Sequence, residues 1–231
     1  MSIFNGVALV TGAASEGCKK IVIVDRDAKK LDDTELAIKE TFRDVQVLAV
    51  PTDISKEEDI ENLYSETIKA FGRVDYVVNG AGVLSNNKRS HESSVEEFDM
   101  INNVNYRGCW LSSRAAIRGS IVNIASQLGV VGRSAAPAYC GSKAAVISMT
   151  RCDAIDYSKD LIRVNAVCPG LIDTAMTRPQ ADVLSPAINI APMGRMGSPQ
   201  EVADCILFLA SSKASFVQGS AMMVDGGYVI N

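Results

Sequence analysis

Apolar, β-branched runs recur along the chain at Val7–Val10, Ile21–Val24, Val45–Val50, Val74–Val78, Ile121–Ile124, Val164–Val167 and Met222–Val224. Their near-continuous hydrophobicity, without polar alternation, is what strands covered on both faces of a parallel sheet require. Segments of helical period lie between them. Ser55-Lys56-Glu57-Glu58 has the form of a capping box, followed by Ile60, Leu63, Tyr64, Ile68 and Phe71 on one stripe and by Gly72 as a stop. Ser198-Pro199-Gln200-Glu201 has the same form, with proline at the first helical position. Another helix is expected to start near Ser93 or Ser94 and to run through Phe98, Ile101 and Val104. The β-α-β-α order predicts one doubly wound α/β domain over residues 1–231, a parallel sheet with helices on both faces. Thr177 to Pro199, with four prolines, reads as an irregular loop over the binding face.

Composition narrows the function. With 231 residues, 47% of them hydrophobic, the chain buries a core without needing disulfides or a structural metal. The net charge of −4, with no Lys/Arg cluster, disfavours nucleic acid as a partner. No apolar run approaches membrane-spanning length, and Met1-Ser2-Ile3-Phe4-Asn5-Gly6 lacks the parts of a signal peptide, so a cytoplasmic protein with no membrane partner is expected. The six cysteines are never closer than twelve positions, which excludes C-x-x-C motifs and reads as free thiols. His91 is the only histidine and lies in a polar run, so a Ser-His-Asp triad and a histidine zinc motif each lose a required residue, and no metal is expected.

Open parallel sheets bind ligands beyond the carboxyl ends of their strands, where four features stand out. Val10-Thr11-Gly12-Ala13-Ala14-Ser15 leaves the first strand as a small-residue turn, suited either to a cofactor pyrophosphate or simply to a tight turn. Asp25 ends the second strand, where a carboxylate accepts from adenosine ribose hydroxyls and repels a 2′-phosphate, or else is merely solvated. Tyr139 and Lys143, at i and i+4, share a face if their segment is helical. A nearby ammonium lowers a phenol's pKa and fits it to trade protons with an alcohol or carbonyl, although such a pair alone is more often a surface pairing. Ser126 ends a strand thirteen residues before the tyrosine, so its hydroxyl can reach the same sheet edge; turn formation is the ordinary alternative.

Thr11-Gly12, Asp53-Ile54, Asn79-Gly80-Ala81-Gly82, Asn105, Ser126, Tyr139, Lys143, Pro169-Gly170-Leu171-Ile172-Asp173-Thr174 and Val224-Asp225-Gly226-Gly227 occur in one order along nearly the whole chain. In this the sequence resembles the short-chain dehydrogenase/reductase family. The resemblance implies a single-domain Rossmann-like fold and an oxidoreductase that interconverts a secondary alcohol and a ketone. It makes Tyr139 the acid in reduction and the base in oxidation. Lys143 then lowers the phenol's pKa and binds the nicotinamide ribose, Ser126 polarises the substrate carbonyl, and Asn105 holds a water on a proton path. It also implies cofactor contacts at Thr11, Gly12, Asp25, Asp53, Ile54, Asn79, Ala81, Gly82, Pro169, Gly170, Ile172 and Thr174. Asp25 favours NAD(H) over NADP(H), a preference that Arg26 beside it weakens. Gln127 and Leu128 are candidate substrate contacts, and the apolar run through Val130, Val131, Ala135 and Ala136, with Arg133 its one charge, implies a mainly apolar small-molecule alcohol or carbonyl. A homo-oligomer, dimer or tetramer, is implied through helices at Glu96–Ile117 and Ala138–Ser158. The alternatives are an NADP(H)-dependent reductase of 3-oxoacyl or polyketide-derived carbonyls and, in another class, a non-catalytic binding or scaffold protein of the same shape.

Two joins depart from the pattern. The family's first turn places glycines where Glu16 and Cys18 stand, and only Thr11 to Lys20 separates the first two strands. A whole crossover including its helix needs at least about 10 to 12 residues, so a full phosphate-binding turn plus a sheet-long helix does not fit. Ile117-Arg118-Gly119-Ser120 likewise runs a helix straight into a strand. The expectation is that segments near Ser15/Glu16 and Arg118/Gly119 are missing from the sequence; a true deletion is the alternative.

Overall fold

A computed structural model describes residues 6–11, 18–85, 87–116, 119–175, 177–178 and 181–230. Seven strands form one parallel sheet in the order β3-β2-β1-β4-β5-β6-β7. They are β1 Val7–Thr11, β2 Lys20–Asp25, β3 Gln46–Pro51, β4 Tyr76–Asn79, β5 Ser120–Ile124, β6 Arg163–Pro169 and β7 Ala221–Val224. Every apolar run forms its strand, and successive side chains divide between two cores as strand geometry demands. Val7, Leu9, Val22 and Val24 pack with Ile60, Leu63 and Leu111 on one face. Ala8, Val10, Ile21 and Ile23 pack with Leu31, Ile38 and Leu209 on the other.

The helices are α1 Ala28–Thr41, α2 Glu57–Phe71, α3 Val95–Asn102, α4 Cys109–Ala115, α5 Pro137–Asp156, α6 Ala181–Ile190 and α7 Pro199–Ala210. Capping boxes form at Ser94 with Glu97 and at Ser198 with Glu201. The box expected at Ser55 does not form. Ser55 instead gives its hydroxyl and N–H to Asp53 Oδ1 at 2.7 and 3.0 Å, and Lys56 caps α2 without a side-chain bond. Glu57, Glu58 and Asp59 in the first turn still complement the helix dipole, and Gly72 closes the helix at φ 78°. The Thr177 to Pro199 stretch, expected to be irregular, holds α6 with Pro186 inside it.

The long helix expected over Glu96–Ile117 is interrupted by a π-helical turn, Asn103–Gly108, between α3 and α4. Such a turn inserts a residue and re-aims its neighbours, and it is frequent at functional sites. Here it buries Asn105 and Gly108. β1 and β2 pair in parallel from Val7↔Lys20 to Thr11↔Val24, although only residues 12 to 19 connect them. Parallel neighbours ordinarily need a crossover of a dozen residues or more. Both joins singled out in the sequence, at 12 to 17 and at 117 and 118, lie outside the described residues, as does Gly12.

Candidate active site

The strand order reverses between β1 and β4, and beyond the carboxyl ends of β4, β5 and β6 a cleft of about 330 Å³ opens. Gly80, Gly82, Ser126, Tyr139, Lys143, Gly170, Ile172 and Thr174 are among the residues lining it. Ser126 leaves β5 in extended conformation and caps a short 3₁₀ turn, its Oγ accepting from the Leu128 N–H at 3.1 Å. Pro137 starts α5, which puts Tyr139 and Lys143 in the first two turns, facing the cleft. Ser126 and Tyr139 both line this cleft and the smaller cavity beside it, so two residues distant in sequence converge on one place.

Burial pushes the Tyr139 phenol above its ordinary pKa, outweighing the Ser126 hydroxyl and the positive charge of Arg133, both of which pull it down. Lys143 is 5% exposed, and its ammonium donates to the Ile124 carbonyl at 2.7 Å, 6.0 Å from the tyrosine ring centre. Burial brings Lys143 down to about 8.

Asn105 clamps the loop after β4. Its Oδ1 accepts from the Val83 N–H at 2.8 Å, and its Nδ2 donates to the Val83 carbonyl at 3.0 Å and to Ser142 Oγ at 3.2 Å. Ser142, which sequence reasoning passed over, donates in turn to the Tyr139 carbonyl at 2.8 Å. Its place three residues beyond the tyrosine on one helix was the signal available. Asn79 donates to Asn123 Oδ1 at 2.8 Å and to Ser113 Oγ at 3.1 Å, and its own buried Oδ1 has no partner among the described residues.

The remaining residues fall into place unevenly. Thr11 ends β1, paired with Val24 and Asn79. Asp25 ends β2, one carboxylate oxygen accepting from the Asp27 N–H at 3.0 Å. The Asp53 carboxylate is held below the usual range by the Ser55 hydroxyl. Ile54 turns its side chain into the core beneath the π-helical turn, so only its backbone is left to face an adenine. Ala81 packs partly against the same core. Pro169 ends β6, and the Gly170 N–H donates to the Val224 carbonyl at 2.9 Å. Ile172 bridges to Gly197, and the Thr174 N–H donates to Thr177 Oγ1 at 3.0 Å. Gln127 is buried, and Leu128 lines a smaller cavity beside Ser126.

These residues fit the nicotinamide half of a dinucleotide. A side chain at Gly82 would come within 3.1 Å of Asn105 Oδ1 and 3.6 Å of Lys143 Nζ, so glycine keeps that wall open to a flat ring and its ribose. Among the described residues no cluster of His, Cys, Asp or Glu could hold a metal ion, and no helix is long and apolar enough to cross a membrane.

Comparison with known proteins places this fold and its cleft. Over residues 5–229 the chain matches the family model described as enoyl-(acyl carrier protein) reductase, and it belongs to the short-chain dehydrogenase/reductase family. It is 35% identical to 2-(R)-hydroxypropyl-CoM dehydrogenase of Xanthobacter autotrophicus over 97% of this chain and 94% of that protein. It is 36% identical to cis-4-hydroxycyclohexanecarboxylate dehydrogenase of Sinomonas cyclohexanicum, over 96% of each chain. It is also 36% identical to NAD-dependent glycerol dehydrogenase of Listeria innocua, over 99% of this chain and 96% of that one. The crystal structure of levodione reductase superposes with a TM-score of 0.92 at 30% identity, covering 97% of this chain and 98% of the other. The chain is thus an alcohol dehydrogenase or ketone reductase of the short-chain type. The Listeria alignment runs over 245 positions, which leaves at least 14 at which that relative has a residue and this 231-residue chain has none.

Proposed function

We propose that this enzyme is NAD(H)-dependent and interconverts a secondary alcohol and a ketone on a mainly apolar small molecule, with Tyr139 as its proton donor and acceptor. The observation carrying the reading is the convergence of Ser126, Tyr139 and Lys143 on one cleft beyond the carboxyl end of the sheet. In reduction the Tyr139 Oη gives its proton to the carbonyl oxygen, and in oxidation it takes the proton of the alcohol. Ser126 holds that oxygen beside the phenol. Lys143 offers its ammonium to a ribose, and Asn105 fixes both the Val83 backbone and, through Ser142, the first turn of α5. The nicotinamide, when bound, supplies or accepts the hydride, so the chain's own work is orientation, proton delivery and exclusion of water.

Asp25 supports NAD(H), and the Listeria relative is named NAD-dependent. Arg26 directly after it favours the second reading, an NADP(H)-dependent reductase of 3-oxoacyl or polyketide-type carbonyls. Six free cysteines fit a reducing compartment, and the cytoplasm is proposed as the site of action. The exposed Ile155 and Phe216, with the half-buried edge strand β7, support a homo-oligomer, dimer or tetramer. The short β1–β2 connection and the longer relatives support a working enzyme that carries further residues at the two joins, completing its phosphate-binding turn.

Tyr139→Phe tests the central role. Turnover is expected to fall by about 10²-fold or more while NADH binding stays within about twofold, because a proton and not a cofactor contact is removed. Near-full activity in the variant overturns the assignment.

A further inference from the structure

Beside Ser126 and Tyr139 the cleft continues into a cavity of about 80 Å³ whose wall includes Leu84, Leu128, Leu171, Gln127 and Arg133. No acidic side chain lines it among the described residues, so Arg133 gives the wall its one formal charge. Arg133 has no carboxylate partner among the described residues; its Nη2 donates to the neutral Asn87 Oδ1 at 2.5 Å. Asn87 sits at φ 56°, a left-handed backbone that asparagine tolerates better than most residues, and that conformation presents its amide to the guanidinium. Arg133 is thereby held with most of its five donors uncommitted.

Gln127 lines the same cavity, 4% exposed, and its Oε1 has no hydrogen-bond partner among the described residues. That oxygen is an acceptor, so a hydroxyl or N–H donor, not an anion, completes it. An apolar substrate closing over this end would strip water from the Arg133 guanidinium and return nothing. A carboxylate matches the guanidinium fork.

We propose that Arg133 makes this pocket select an alcohol or ketone that carries an anionic group, a carboxylate or an isosteric monoanion, at the end away from the reacting carbon. The inference rests on the oxidoreductase reading above and names the substrate class for it. The body of the molecule stays apolar, against Leu84, Leu128 and Leu171, and the charge sits at one end.

The test compares 4-oxopentanoate and 5-oxohexanoate with their primary amides, which match them in shape and lack the charge, using NADH and the wild-type, Arg133→Met and Arg133→Lys enzymes. The wild type is expected to prefer the acids in kcat/KM by on the order of 10-fold or more, the scale of one charge-assisted pair. Arg133→Met removes that preference by raising KM for the acids far more than for the amides, whereas Arg133→Lys keeps part of it, having the charge but not the fork. A wild type indifferent to the charge, or a preference that survives in Arg133→Met, overturns the proposal. If Arg133 served only to adjust the Tyr139 proton, its loss would shift the pH profiles of acids and amides alike, which also overturns it.

Thermal melting with 5-oxohexanoate and its amide gives a readout free of turnover. Stabilisation by the acid alone, absent in Arg133→Met, supports the anion site, and equal response to both compounds sinks it. Reduction of neutral ketones that is lost in Tyr139→Phe keeps the oxidoreductase reading intact even where the anion site fails. The two failures are therefore distinguishable.

Discussion

At the scale of single residues the site is governed by burial. A phenol raised by burial stays protonated through neutral pH, so it is ready to donate in reduction, whereas oxidation needs the phenolate. The oxidative kcat/KM is therefore expected to keep rising past about pH 9, while the reductive rate shows no matching rise. A plateau in oxidation near neutrality would mean that the phenol is not the group being titrated. Lys143 yields a stability prediction with a definite sign. Its folded pKa of about 8 lies below the usual lysine value, so between the two the folded chain binds fewer protons than the unfolded one. Its contribution to stability rises with pH across that window. Relative to Lys143→Met, the wild type is expected to gain unfolding free energy between about pH 8 and 10 in urea titrations, and a falling difference would contradict the assigned shift. Ser126, Tyr139 and Lys143 were legible in the sequence because a strand end and a helix start fix where their side chains point. Gln127 was legible as a substrate contact from its place directly after Ser126, and Arg133 as the one charge of an apolar run. That Arg133 lines the pocket with no acidic residue among the described lining is a fact of three-dimensional neighbourhood that no spacing encodes.

At the scale of elements, all seven strands could be read from hydrophobic runs, since a sheet covered on both faces leaves its strands no polar positions. Helix ends were less legible. Ser55 has the right sequence for a cap, yet its hydroxyl is drawn to Asp53 two residues away, a local competition that the motif does not show. The four prolines of the 177 to 199 stretch pointed to a loop, and α6 accommodates Pro186 nonetheless. The interruption in the helix before β5 was invisible, because a π-helical turn preserves the apolar stripe on either side of it. That turn is predicted to matter. A methyl at Gly108 would lie 2.8 Å from Ile54 Cδ1 and 2.9 Å from the Ile54 carbonyl oxygen. Gly108→Ala is therefore expected to cost about 1 to 3 kcal/mol in denaturant unfolding and to lower kcat by displacing Asn105 in the same turn. Unchanged stability would show that the turn relaxes freely. Ser198→Ala, far from the chemistry, is expected to cost about 1 kcal/mol through loss of its cap and to leave kcat unchanged.

At the scale of the whole molecule, two questions concern what lies beyond the described core. The first is assembly: light scattering is expected to find a dimer or tetramer, and a monomer at working concentration would contradict the role given to β7 and the exposed Ile155 and Phe216. The second is completeness. Strand order, cleft and proton-handling residues are all present, while the connection that should cradle the cofactor phosphates is too short in the sequence for the parallel pairing it serves. An intact mass above 24.6 kDa is expected of the working enzyme. The central claim, that this fold holds NAD(H) against Tyr139, is tested most directly by titrating NADH into protein of measured mass and following the nicotinamide fluorescence. Saturable binding of NADH, with NADPH weaker and the difference narrowed in Asp25→Ala, is the result predicted; no saturable NADH binding would contradict the account.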